Sequence, residues 1–264
     1  MRGCIMKLEN VLLVKKGEIA ELLLNRPEKL NAFSKNMRLE ILAALEEISQ
    51  DNNIRVCIIT GKGRAFCAGG DIAIMKELKE TNNAELLNSF LAHGKDVIKK
   101  IRSMPIPVLA AINGPAAGAG MNLALSCDIR ISSENAVFGQ TFIKIGLNTD
   151  WGGSFFLPQL VGSAKALELI WTGKMISAKD ALSLNLVNKV VPQDKLMEAT
   201  YELAQELIQK SPFAIKIAKQ AVYRSYENQL DEALAFENKV QIDCFLSREC
   251  TDGLSEFLNK KKSK

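Results

Sequence analysis

Through the first 190 or so residues, apolar runs of strand length keep alternating with stretches of helical periodicity, and this alternation leaves few folds open. "NVLLVKKGEIAELLLNRP" reads as two short strands around Lys16-Gly17, ended by Pro27, so a hairpin opens the fold. A helix capped by Ser34 follows, with Ile41, Leu42, Leu45 and Ile48 at helical spacing. "RVCIITGKG" is continuously apolar, as a strand covered on both faces should be. The stretch 84–103 carries another helical stripe, stopped by Pro105 and Pro107. "PVLAAINGPAAGAGMNLALSCDIRISS" predicts a buried strand, a glycine and alanine turn, a helix from near Gly120 and a further strand. Together these define an α/β domain over 1–191. From 192 to 264 the pattern becomes purely helical, with Ser211-Pro212 marking one helix start and 229–246 and 251–262 as amphipathic pieces. Such a helical region suits packing on a neighbouring subunit, so an oligomer is expected.

Composition narrows the function classes. With 47% hydrophobic and 24% charged residues in 264, the chain is of ordinary globular character with material for a substantial core. The net charge of +4 is too mild for a nucleic-acid footprint, and the run Lys260, Lys261, Lys262 and Lys264 reads as a solvated helix end. Six cysteines, at 4, 57, 67, 127, 244 and 250, show neither CxxC nor zinc-ligand spacing, which suits reduced, buried thiols of an intracellular protein. No apolar run reaches the roughly 18 residues of a membrane span, and "MRGCIMKLEN" lacks a signal-type apolar region. A cytoplasmic protein with no nucleic-acid or membrane partner is expected.

Two small-residue loops each follow a buried strand. The chain turns at Ala68-Gly69-Gly70 in "AFCAGGD" and at Gly118-Ala119-Gly120 in "GPAAGAGMN". Small residues let a ligand approach the backbone, and the N–H groups at a helix start are unpaired, with the helix dipole behind them. Two such turns facing each other would hold one developing oxyanion; tight strand-to-helix packing accounts for the same glycines. The chain lacks GxxxxGK[ST], and "GPAAGAG" does not fit GxGxxG, which argues against a phosphate or dinucleotide loop.

Asp150 stands alone in "FGQTFIKIGLNTDWGGSFFLPQLVG", directly before Trp151, Gly152 and Gly153. It either caps a helix beginning at Trp151 or acts as a base. In the second case desolvation among Leu147, Trp151, Phe155 and Phe156 should raise its pKa, if no cation compensates.

These blocks, with "NRPEKLNAF" (25–33), "RAFCAGGDI" (64–72), "AAINGPAAGAGMNLALSCDIRIS" (110–132) and "TDGLSEFLNKK" (251–261), resemble in order the signatures of the crotonase, or enoyl-CoA hydratase/isomerase, superfamily. The resemblance covers nearly the whole chain. It implies a crotonase-like spiral of ββα units with a C-terminal helical trimerisation region, giving a homotrimer or a hexamer built as a dimer of trimers. It further implies an acyl-CoA thioester as substrate, its enolate held by two backbone N–H groups that fall on Ala68 and Ala119. CoA contacts would map to Lys29 near the phosphates, to the backbone from Ala65 and Phe66 to Ala68 near adenine, and to Phe257 and Lys260 from a neighbouring subunit. Gly69, Asp71 and Gly118 complete the substrate-binding loops. CoA enters with the substrate, so no separate cofactor and no metal is expected.

Hydratases of the family use two glutamates, and the matching positions here are Asn122 and Phe142, neither of which can take up a proton. Asp150 aligns with the glutamate of peroxisomal-type Δ3,Δ2-enoyl-CoA isomerases and with the aspartate of ring-epoxide and oxepin isomerases of phenylacetate breakdown. One carboxylate suffices for isomerisation, because it can remove a proton from C2 and return it at C4. Asn122 would orient the thioester or a water, or pack its helix. Phe142 and Trp151 would line the acyl pocket, its depth set by a loop at 73–95, and Trp171 is read as core. A 4-chlorobenzoyl-CoA dehalogenase of the superfamily uses a matching aspartate as nucleophile, but its tryptophan and histidine fall on Phe142 and Lys95 here; nearby His93 reads as a peripheral helix residue. The expected activity is therefore acyl-CoA isomerisation, the alternatives being a hydratase with atypical acid/base residues or a non-catalytic acyl-CoA-binding or RNA-binding relative.

Overall fold

A computed structural model describes residues 4–81 and 84–226. The predicted amphipathic pieces 229–246 and 251–262, with Phe257 and Lys260, lie outside these residues. The chain begins with β1 (Cys4–Lys7), then β2 (Val11–Lys16) and β3 (Ile19–Leu24), the last two forming the expected hairpin. Helix α1 (Met37–Gln50) follows, and the Ser34 hydroxyl accepts the Met37 N–H at 3.1 Å. Then come β4 (Val56–Gly61), α2 (Ile72–Thr81), α3 (Ala84–Ser103), β5 (Val108–Ile112), β6 (Ala116–Ala117), α4 (Ala119–Ser126), β7 (Ile129–Ser133) and β8 (Val137–Gly139). The remaining elements are α5 (Gly153–Val161), α6 (Ser163–Thr172), β9 (Ile176–Ser177), α7 (Ala178–Ser183), β10 (Lys189–Val191), α8 (Leu196–Ile208) and α9 (Pro212–Arg224). The stretch 73–95, expected as a loop, is thus largely helical.

The larger sheet has the order β1-β2-β3-β4-β5-β7-β10, antiparallel up to β3 and parallel from there on. A smaller sheet has the order β6-β8-β9. β5 is followed by β6 and α4, and β7 by β8 and α5. After β4 an isolated bridge pairs Cys67 with Ala116 before α2, so the same unit recurs with its second strand reduced to one residue. This is the spiral of ββα units.

Strand β4 is buried along its whole length because its side chains alternate between two cores. Cys57 and Ile59 join Leu22, Val108, Ala110, Ile41 and Leu45 on one face. Val56 and Ile58 join Leu109, Ala111 and Ile131 on the other, where Leu196, Ala199, Ala204 and Ile208 of α8 cover them. With the sheet held from both sides, the loops at the strand ends have a rigid base.

Candidate active site

The two small-residue loops lie against each other. Phe66 and Cys67 N–H groups donate to Pro115 O at 3.2 and 3.1 Å, and Ala117 N–H donates to Cys67 O at 3.0 Å. Glycine is required at these seams. A Cβ on Gly120 would stand 2.1 Å from Cys67 O, and one on Gly69 would stand 2.7 Å from Ala117 O and 3.5 Å from Ala119 N. Gly118, with φ 52° and ψ −126°, occupies a backbone conformation that side chains forbid.

The first loop is clasped by the stretch 26–33. Asn31 accepts the Arg26 N–H at 2.9 Å and donates to Lys62 O and Ala65 O at 3.0 and 2.8 Å. Phe33 N–H donates to Gly69 O at 2.8 Å, and Ala68 N–H donates to Leu30 O at 3.0 Å. This last bond corrects the expected oxyanion donor: the Ala68 N–H is engaged inside the fold. Among the described residues, the N–H groups of Gly70 and Ala119 have no backbone acceptor. Ala119 opens α4, where the first-turn N–H groups find no acceptor within the helix. Gly70 on the first loop and Ala119 on the second thus each present an N–H without a backbone acceptor.

Other expected contacts fall out differently. Asp71 is engaged by Arg26 at 3.1 Å and by the Ala73 N–H at 3.0 Å, so it secures the loop and the start of α2. The Ala65 carbonyl is taken by Asn31 and by Asn113 at 3.2 Å, and the Phe66 side chain is fully buried. Lys29 is exposed and makes no ion pair among the described residues.

Asp150 does not cap a helix. Trp151 and Gly152 both have positive φ, 49° and 78°, so the chain makes a left-handed turn and α5 starts only at Gly153, with Gly152 as its cap residue. Three features over-determine that strained turn. Trp151 stacks on Phe33 with ring centroids 4.3 Å apart, and its indole abuts Gly94 of α3, where a Cβ would stand 2.4 Å from Nε1. Asn122 of α4 donates to Asp150 O at 2.7 Å and to Thr149 Oγ1 at 3.1 Å, while its own Oδ1 accepts Gln140 Nε2 at 2.6 Å. Thr149 closes the network by donating to Gln140 at 3.0 Å. Both amide N–H groups of the fully buried Asn122 are thus used within the protein. Of the two readings the sequence left for Asn122, these bonds support the packing one: it locks the turn that carries Asp150.

Phe142 is buried, its ring edge 3.6 Å from where a Gly118 Cβ would be, and Trp151 is buried beside Phe33. Of the apolar residues expected around Asp150, Leu147 and Phe155 are half exposed, whereas Trp151 and Phe156 are buried. Trp171, read as core, is 66% exposed because it ends α6 on the outer surface.

The electrostatics single out one group. Desolvation pushes the Asp150 carboxyl up to about 6 even though the Arg38 guanidinium pulls it down. Among buried side-chain polar atoms described, only Asp150 Oδ1 and Arg38 Nε have no hydrogen-bond partner. Burial lowers Arg38 to about 10, and the Cys67 thiol, pushed up to about 12, stays neutral. The sequence reading missed Arg38, although it sits one turn before Ile41 on the apolar stripe of α1, where an arginine is conspicuous. It also missed Gly70, for which no sequence signal separates one loop N–H from the next.

A spiral of ββα units, two apposed loops with unengaged backbone donors and one buried acid define a class: the chain belongs to the enoyl-CoA hydratase/isomerase family, whose profile matches residues 14–264. It is 38% identical over 258 residues to the short-chain-enoyl-CoA hydratase of Clostridium acetobutylicum, with 97% of each chain covered. It is 35% identical over 249 residues to the 1,2-epoxyphenylacetyl-CoA isomerase of Escherichia coli, with 94% of each covered. Among solved structures, an enoyl-CoA hydratase subunit I from Geobacillus kaustophilus superposes with a TM-score of 0.90 at 36% identity, covering 97% of each chain.

Proposed function

We propose that this enzyme is an acyl-CoA isomerase that moves a double bond from the 3 to the 2 position, or rearranges an activated ring, with Asp150 as its single acid/base. The observation that carries the reading is the isolation of Asp150: a buried carboxyl with an unpartnered oxygen and a raised pKa, while Asn122 and Phe142 stand where a hydratase of the family has glutamates. Asp150 takes the C2 proton of a 3-enoyl thioester, and the C–H electron pair moves into a dienolate whose charge collects on the thioester oxygen. The N–H groups of Gly70 and Ala119 stabilise that oxygen. The protonated Asp150 returns the same proton at C4, and the electrons close the 2,3 double bond. A pKa near 6 suits a group that must accept and then donate.

Proton transfer and anion stabilisation complete this reaction, so the reading needs no redox cofactor or metal, and CoA arrives with the substrate. Lys29, Phe257 and Lys260 remain our proposed CoA contacts, with Phe142 and Trp151 beside the acyl chain. We also assign a trimer or hexamer, a reading supported by the exposed Ile143, Ile145, Trp171 and Met175, which a single chain leaves facing water.

A second reading, hydration, is favoured by the names of the relatives, the hydratase from Clostridium acetobutylicum among them. Parallel incubations with trans-2-hexenoyl-CoA and 3-hexenoyl-CoA in deuterium oxide separate the two. Conjugated enoyl absorbance with no mass of added water supports isomerisation, a C4 proton retained in deuterium oxide marking return of the same proton by Asp150; a hydroxyacyl product supports hydration. No conversion of either hexenoyl isomer would refute both for aliphatic chains and direct the test to ring thioesters. Asp150→Asn is expected to lower kcat by about 10²–10⁴-fold with acyl-CoA affinity nearly unchanged, measured by steady-state kinetics and calorimetric titration.

A further inference from the structure

Arg38 is 8% exposed, yet it forms no salt bridge among the described residues, and its Nε has no partner. It is held by other means. Nη1 donates to Ser34 O at 3.2 Å, and the guanidinium faces the rings of Phe90 of α3 at 4.7 Å and Phe33 at 5.7 Å. Phe33 in turn stacks on Trp151, the residue after Asp150. Contacts running from Phe90 through Arg38 and Phe33 to Trp151 therefore tie this cation to the turn of the buried acid, on which its charge acts and whose own Oδ1 is also unpartnered.

We propose that Arg38 is a positioning residue of this site, a permanently charged group held near Asp150 without bonding it, which keeps the buried carboxylate in its proton-accepting form.

Among the described residues, the other elements around Asp150 supply no substitute. Helices α4 and α5 contain no ionisable side chain. In the loop before α2, Cys67 is neutral and Asp71 is paired with Arg26. On α3, Arg102 faces the rings of Phe156 and Tyr223, and His93 and Lys95 flank Gly94; among the described residues the charge that acts on Asp150 is that of Arg38. The absence of a direct bond has a chemical use. A bonded ion pair would occupy the lone pair that must receive the proton and would hold the acid too strong a donor to serve as a base. Stacking keeps the charge and leaves the oxygen unengaged. Loss of the cation leaves desolvation unopposed, so Asp150 would hold its proton at neutral pH.

The inference rests on Asp150 as acid/base, and its test is independent of turnover. Whole protein carrying carbon-13 at aspartate carboxyls is titrated by NMR, with the Asp150 signal identified by its loss in Asp150→Asn. Arg38→Met is expected to raise the Asp150 midpoint by about one pH unit or more, and Arg38→Lys to keep most of the parent value. Arg38→Gln serves as the uncharged variant if Met does not fold. An unmoved midpoint in the uncharged variant, or equal shifts in the Lys and uncharged variants, would overturn the proposal and leave the isomerase reading untouched. Failure of 3-hexenoyl-CoA turnover with the midpoint shift intact would do the reverse.

Discussion

At the scale of single residues, Asp150 is the place where stability and activity pull in opposite directions. Its carboxyl is raised from about 4 in an unfolded chain to about 6 by burial. The base form is therefore populated above pH 6, and kcat/KM should climb through that value to a plateau, with the climb missing in Asp150→Asn; a pH–rate profile checks this. Between the unfolded and folded values the native state still holds a proton that the unfolded chain has released, so stability falls as pH rises through this window and the penalty is complete above about 6. Asp150→Asn removes that penalty. Its stability advantage over the parent should widen by about 1–3 kcal/mol from pH 5 to pH 8, measured by urea unfolding at both. Asn122 shows a complementary principle. Both of its amide N–H groups are bonded within the protein, so its contribution is the placement of the Asp150 carbonyl.

At the scale of elements, the site depends on close approach between α3 and the turn before α5. On propensity alone, Gly94→Ala in the middle of α3 should stabilise the helix by about 1 kcal/mol. Here the new Cβ would meet the Trp151 indole at 2.4 Å, and that ring is pinned on Phe33. Overpacking of this kind costs about 1–3 kcal/mol, so the sign reverses. Gly94→Ala is expected to lower the urea midpoint and, by displacing the turn, to lower kcat more than it raises KM. The elements themselves were readable from pattern: the hairpin, α1, β4, α3, α4 and the Ser211-Pro212 start of α9 follow from periodicity and punctuation, and the Ser211 hydroxyl accepts the Ala214 N–H at 3.1 Å. The start of α5 was not readable. A tryptophan in the left-handed region is disfavoured by its own backbone and occurs only because ring stacking and Asn122 hold it there.

For the whole molecule, α9 is tied through Asp128 to the ends of α3 and β5. Lys219 of α9, nearly buried, donates to Ile101 O and Ile106 O at 3.1 Å each and to Asp128 at 2.8 Å, and Asp128 also accepts from Tyr223. Asp128 further accepts the Val108 N–H at the start of β5 at 2.7 Å. Lys219→Met should cost about 2–4 kcal/mol, because it leaves a partly buried carboxylate without its cation. Hydrogen exchange should locate the loss in α9 and the ends of α3 and β5, with the pH–rate profile unchanged.

The sequence by itself determined the alternation of strands and helices, the two small-residue loops and the lone acid, because these depend on local periodicity, turn chemistry and residue type. "NRPEKLNAF" was legible as a motif, but its task as a clasp, with Asn31 bonding Lys62 and Ala65, was not. Only the tertiary structure decided that Gly70 and not Ala68 presents the unengaged N–H, since that depends on whether Leu30 O lies within reach. It likewise decided that Asp150 is no helix cap and that a stacked arginine stands beside it. Hydrogen-bond occupancy and electrostatic balance arise between segments far apart in the chain, where one residue's partner is set by packing and leaves no local signal.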